Sequence, residues 1–203
     1  MTREEWLDGS GGVTRATGVA YYPSGQVHTI ADPDSSYTYT YDDAGRLVGD
    51  SNAGTPQLPW VELAYTYNGS DQITGLTARI DGSLALTNAY AYFPLSQRLA
   101  TITQSGPAVA PKRVDYTYLA DAYQIATVDR YADLAGAQRV ASTTYTYSTS
   151  NLVDGITHRR PDNSVLNSYQ LTYDPALRVS TVASAGRRSS GAVSSAMASA
   201  SAS

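Results

Sequence analysis

The chain has 203 residues, no cysteine and a net charge of −4, and only 16% of it is charged. This excludes a disulfide framework and thiolate chemistry, and it leaves no basic footprint for nucleic acid or an anionic membrane. Abundant tyrosine, threonine, serine and glycine favour an all-β chain over a helical one.

The start, MTREEWLDGSGG, is acidic and polar and lacks the apolar run of a signal peptide. Residues 1–17 read as an N-terminal lead-in or the end of a preceding repeat. In AYYPSGQVHTI (20–30), Tyr22, Val27 and Ile30 suggest a degenerate earlier copy of a strand–turn–strand unit that recurs along the chain. SSYTYTYDDAGRL (35–47) places Tyr37, Tyr39 and Tyr41 on one face of a strand, because side chains alternate along it. The strand runs into Asp42-Asp43-Ala44-Gly45, a turn sequence, and then into Arg46-Leu47, which starts a return strand. VELAYTYNGSDQI (61–73) repeats the plan: Val61, Leu63, Tyr65 and Tyr67 share a face, and Asn68 opens the turn. In ARIDGSLAL (78–86), Asp81-Gly82 between apolar runs predicts a two-residue hairpin with positive φ. Tyr90 and Tyr92, Tyr116 and Tyr118, and Tyr145 and Tyr147 continue the series, with ADLAGAQRV and RRPDNSVL in the place of the second turn. The sixth copy, SYQLTYDPALRV, keeps Tyr173 and Asp174 but has Leu171 in place of the first tyrosine.

Between successive second tyrosines the steps are 26, 25, 26, 29 and 26 residues. A near-constant spacing of this size marks a repeat architecture. Each period predicts two antiparallel strands, so the expected fold is an all-β antiparallel meander of two-strand units with a period of about 26 residues. Most return strands carry aliphatic residues three apart, such as Ile73 and Leu76. Such a pair falls on opposite faces unless a β-bulge intervenes. An open meander also leaves two edges and one face uncovered, so the chain is expected to be marginal alone.

YTYDDAGRL (39–47), YTYNGSDQI (65–73) and LTYDPALRV (171–179) resemble the YD repeat of the rearrangement-hotspot (RHS) family. That signature is a tyrosine pair, Asp or Asn, a turn with Gly, then Arg and an aliphatic residue, and the resemblance covers about residues 18–183. The residues that carry it are Tyr39, Tyr41, Asp42, Gly45, Arg46, Leu47, Tyr65, Tyr67, Asn68, Tyr90, Tyr92, Tyr116, Tyr118, Tyr145, Tyr147, Tyr173 and Asp174. Phe93 and Leu119 depart from it, and both turns gain a residue. The resemblance implies a curved segment of a β-spiral shell, as in bacterial polymorphic toxins, insecticidal toxin complexes and teneurins. It implies a non-enzymatic structural part that encloses or presents a toxin effector. The expected partners are the remaining repeats of a larger shell and the enclosed effector, with no nucleic acid and no membrane span. The expected setting is a larger bacterial protein, secreted or at the cell surface. Residues 184–203, rich in Ser and Ala, are expected to form a disordered tail.

No catalytic residue, metal ligand or cofactor site is expected. His28 and His158 stand in no metal-ligand spacing, and no nucleophile elbow or phosphate-cradling glycine loop is present. Asp42, Asn68 and Asp174 could serve as acids or calcium ligands, but a turn side chain bonding its own backbone explains them more simply. Asn68-Gly69-Ser70 is formally a glycosylation acceptor, read as turn chemistry. The tyrosine ladder could stack on a surface glycan or recognise a protein, which makes a cell-surface binding module the alternative function. Its recurrence in every copy favours a structural role. Trp6 and Trp60 are expected as plugs between sheet layers rather than as binding anchors.

Overall fold

In the computed structural model, residues 2–120 and 122–186 are described. The chain divides into two compact units, residues 1–140 and residues 141–203. All regular structure among the described residues is β-strand, and strand order is chain order within each unit, without a crossover. The first unit holds β1 (Thr2–Leu7), β2 (Val13–Tyr21), β3 (Val27–Asp32), β4 (Ser35–Tyr41), β5 (Leu47–Ser51) and β6 (Val61–Tyr67). It continues with β7 (Ile73–Ile80), β8 (Ser83–Tyr92), β9 (Leu99–Ser105), β10 (Lys112–Tyr118) and β11 (Ile125–Tyr131). The division falls within β12 (Arg139–Tyr147), and the second unit goes on through β13 (Val153–Arg159), β14 (Val165–Tyr173) and β15 (Val179–Gly186). The all-β antiparallel meander read from the sequence is thus the fold. Of the expected tail, residues 184–186 complete β15 and residues 187–203 lie outside the described residues.

Each tyrosine strand is even-numbered and each return strand odd-numbered, because every copy contributes two strands. The degenerate earlier copy takes a different register from the expected one. Tyr21 pairs with Val27, as Tyr41 pairs with Leu47, so Tyr21 is the strand tyrosine. Tyr22 instead opens the turn, in the place of Asp42, Asn68 and Asp174, because its N–H donates to the Gln26 carbonyl at 2.8 Å.

A β-bulge sits at the same place in every hairpin closed by the signature turn. Tyr67 pairs with Ile73 and Thr66 with Gly75, leaving Thr74 as the extra residue. The same slip leaves out Val48, Ala100, Ala126, Asp154 and Ser180. The bulge turns Leu76 to face Tyr65 while Ile73 faces Tyr67, so the aliphatic pair three apart lies on one face with the tyrosines.

Within each unit the strand–strand contacts run between sequence neighbours only. Burial is correspondingly shallow. Ala85 and Val128 are the buried apolar side chains among the described residues, with Thr55, Ser142 and Thr143 buried and polar. Thr143 shares a hydrogen bond with His158 Nδ1 at 3.0 Å, and the His158 ring meets Tyr169 edge-on. The tryptophans do not act as plugs. Trp6 is exposed on β1, and Trp60 lies over the 81–82 hairpin with its Nε1 donating to Ser51 Oγ at 2.8 Å. Within the first unit no second layer exists among the described residues for them to separate.

Candidate functional site

The chemistry of this chain is concentrated where one repeat meets the next. It begins with the turn. The Asp42 backbone N–H donates to the Arg46 carbonyl at 3.0 Å, and the Gly45 N–H donates to the Asp42 carbonyl at 2.9 Å. The same pair of bonds recurs at Asn68, Ser148 and Asp174. The fourth residue of the turn must take a left-handed conformation: Gly45 has φ +81°, and Asp71, Asn151 and Leu177 have φ of 60–61°. Glycine suits that position because it has no Cβ to clash.

The residue after the second tyrosine locks this loop. Asp42 Oδ1 accepts the N–H groups of Ala44 and Arg46 at 3.0 and 2.9 Å. Asn68 Oδ1 accepts from Ser70 and Gln72, and Asp174 Oδ1 from Ala176 and Arg178. The second carboxylate oxygen of Asp42 takes the Arg46 guanidinium at 2.7–2.8 Å, and Asp174 takes Arg178 in the same way. Backbone donation from Arg46, then its guanidinium, holds the Asp42 carboxyl below the usual carboxylate range. These side chains therefore act within their own turns, and the Asn68 amide also donates to Gln72.

The tyrosines link the repeats. The Tyr67 hydroxyl donates to the Leu47 carbonyl at 2.6 Å, and Leu47 begins the return strand of the preceding copy. Tyr92 donates to Ile73, Tyr118 to Leu99 and Tyr173 to Val153 in the same sense, at 2.6–2.9 Å. The arginine of one copy covers the second tyrosine of the next: Arg46 Cζ lies 4.7 Å from the Tyr67 ring centroid, and Arg98 lies 4.5 Å from that of Tyr118. Arg46 also reaches Asp71 in the next turn at 2.7 Å. The first tyrosines lie one step deeper along the strand. Burial, then the facing Asp50 carboxylate, pushes the Tyr65 phenol up to about 12, and burial raises Tyr39 as well.

The structure thus places Tyr39 and Tyr41 on β4, Tyr65 and Tyr67 on β6, Tyr90 and Tyr92 on β8, and Tyr116 and Tyr118 on β10. Tyr145 and Tyr147 lie on β12 and Tyr173 on β14. It brings Arg46 of one copy together with Tyr67 and Asp71 of the next, a contact invisible in a single copy of the motif. The regular recurrence of Arg and Tyr was its only trace in the sequence. The series converges on no catalytic constellation, and no group of three or more His, Asp or Glu among the described residues could hold a metal ion. No helix among them is long and apolar enough to cross a membrane, which has no bearing on spanning by strands.

The stretch from Tyr21 to Pro56 contains the turn at 22–26, strands β3 and β4, the Asp42 turn and β5, all in the geometry just described. Residues 21–56 match the family model of the RHS repeat. The RHS repeat match therefore covers the first two signature turns and the strands between them. No curated protein matches the chain. Among solved structures, a porin-like protein from Bacteroides uniformis is similar over 90% of this chain and 80% of its own, at 13% identity and a TM-score of 0.42. A porin-like protein from Bacteroides vulgatus is similar over 85% of this chain and 92% of its own, at 12% identity and a TM-score of 0.39. Likeness at that level carries no functional weight.

Proposed function

We propose that this chain is a non-enzymatic structural segment of an RHS/YD-repeat shell, extended by further repeats, that encloses or presents a toxin effector carried on other sequence. The contrast between Arg46 and Arg178 carries the reading. Both pair with the aspartate of their own turn at 2.7 Å. Arg46 is also covered by the next copy and its side chain is 29% exposed, against 79% for Arg178. Strand β15 is exposed throughout, and Val179 stands at the position whose carbonyl accepts a tyrosine hydroxyl in earlier copies. A further tyrosine strand laid antiparallel on β15 would repeat an interface the chain already makes. In this reading the protein is secreted or displayed at the cell surface as part of a larger bacterial protein. Its partners are the remaining repeats and the effector.

Appending a copy of residues 81–105, which holds the Asp81-Gly82 turn, a tyrosine strand and its return strand, after Gly186 tests the extension. The melting temperature is expected to rise, and Arg178→Ala is expected to be more destabilising in the extended chain than in the parent. An unchanged melting temperature would sink the reading. The glycan alternative draws no support from the hydroxyls of Tyr67, Tyr92, Tyr118 and Tyr173, which are already donated to backbone carbonyls. A glycan titration followed by tyrosine fluorescence is expected to give no saturable response, and a saturable one would move the function to a binding module.

A further inference from the structure

The signature turns of the third and fourth copies are apolar where their siblings are polar. Phe93 and Leu119 stand in the place of Asp42 and Asn68, and Phe93-Pro94-Leu95 runs where the second copy has Asn68-Gly69-Ser70. Both turns still close as their siblings do: the Phe93 N–H donates to the Arg98 carbonyl at 2.8 Å, and the Leu119 N–H to the Gln124 carbonyl at 3.0 Å. They are also fastened to each other. Arg98 Nη1 donates to the Ala122 carbonyl, and its Cζ lies 4.5 Å from the Tyr118 ring centroid and 5.9 Å from that of Tyr123. Phe93 meets Tyr118 edge-on at 6.1 Å. Burial within the chain does not account for the apolar side chains. Leu95 is fully exposed, Tyr123 is 87% exposed, and Phe93 and Leu119 are each more than a third exposed.

Beside Leu95 runs an open groove of about 490 Å³ whose walls include Phe93, Pro94 and Tyr118. Arg98 is the one charged residue among those lining it, and its guanidinium is already engaged by the Ala122 carbonyl and the two tyrosine rings. A two-fold contact sets a surface against itself, so it needs a projection and a recess on one patch, without an exposed charge that would meet its like. This patch has a leucine standing clear of its own chain and an apolar recess next to it. At ~200 Å² for a whole side chain of this size, Phe93, Leu95, Leu119 and Tyr123 offer on the order of 500 Å². Two copies face to face then bury about 1,000 Å², the lower bound of a specific interface and the size of a weak, reversible one. We propose that this patch is the interface of a weak isologous dimer of this chain, in which Leu95 of each copy enters the groove of the other between Phe93 and Tyr118. The proposal stands independently of the shell reading, because it uses two turns and leaves strand β15 free.

Sedimentation velocity of the full chain over a micromolar-to-millimolar series tests this, together with isotope-filtered NMR on a mixture of labelled and unlabelled chain. A reversible monomer–dimer shift is expected, with intermolecular NOEs from the Leu95 methyls of one copy to the Phe93 and Tyr118 rings of the other. Leu95→Asp and Tyr123→Asp bring like charges together across the two-fold axis, and each should raise the dissociation constant by about tenfold or more. A chain that stays monomeric throughout overturns the proposal, as does a dimer that lacks those NOEs or that neither folded variant weakens. A dimer weakened instead by Val182→Lys lies on β15, which overturns the proposal and leaves the shell reading standing. The wild-type NOEs decide the matter even if a variant fails to fold.

Discussion

Leu177 is the clearest case of a residue set against its own backbone. It holds φ 61° at a turn position that Gly25 and Gly45 fill elsewhere, and its side chain is largely exposed. A left-handed conformation costs a branched L-residue about 1–2 kcal/mol, which Asn tolerates far better. Leu177→Asn should therefore raise stability by about 1 kcal/mol, seen as a higher urea midpoint with an unchanged slope. Tyr67 presents the opposite case, since its hydroxyl satisfies the Leu47 carbonyl across the join between copies. Tyr67→Phe keeps the ring under Arg46 but loses that bond, and urea unfolding should record a loss of about 1 kcal/mol. The roles of Asp42 and Asp174 were legible in sequence because an Asx turn is local chemistry. The destination of the tyrosine hydroxyl was not, because it lies 19–20 residues away on the neighbouring hairpin.

At the scale of the element, the bulge explains why the return strands read as untidy. A period of two cannot accommodate Ile73 and Leu76 on one face, and the single extra residue at Thr74 restores the match. Thr66 and Thr74 then share a hydrogen bond at 3.0 Å on the other face, as Thr146 and Asp154 do at 2.6 Å. The Asp81-Gly82 hairpin was legible for the reason given by its angles, φ 49° and 74°. The connection from β9 to β10 was not, because its constraint is a close approach rather than a turn signature. Gly106 has φ 152°, and a Cβ there would overlap the Ala85 carbonyl oxygen and come within 2.7 Å of the Leu86 Cα. Both neighbours are backbone and cannot rotate away. Gly106→Ala should thus cost about 1–3 kcal/mol in thermal unfolding, with faster amide exchange along β8 and β9.

For the molecule as a whole, shallow burial leaves electrostatics with an unusually visible part in stability. The Arg15 hydrogen bond, then the Asp34 and Ser35 groups, holds Asp32 down to about 2, and Asp42 and Asp174 are lowered by their turn donors. A carboxyl lowered on folding binds fewer protons in the folded state. Its stabilisation is therefore complete above the unfolded value of about 4 and disappears as pH falls toward about 2. The tyrosines set the other limit. Tyr65, at about 12, and Tyr39, Tyr92, Tyr118 and Tyr131 are raised chiefly by burial. Their stabilisation is present below about 10 and is lost as pH rises through the folded values. Thermal melts across pH should show a plateau that falls away on both sides, and tyrosinate absorbance should rise together with alkaline unfolding. A melting temperature that keeps its plateau value down to about pH 2 would show that the turn carboxylates do not contribute in this way.

The hydroxyl links of Tyr67, Tyr92, Tyr118 and Tyr173 run in one direction, from a tyrosine back to the carbonyl of the copy before it. A chain emerging from the ribosome therefore ties each of these return strands to a tyrosine hydroxyl only when the next copy arrives, and the newest return strand waits for its successor. Synthesis from the N-terminus and assembly of the sheet share a polarity. A stall or truncation leaves one loose end at the C-terminal side and does not disturb the copies already sealed.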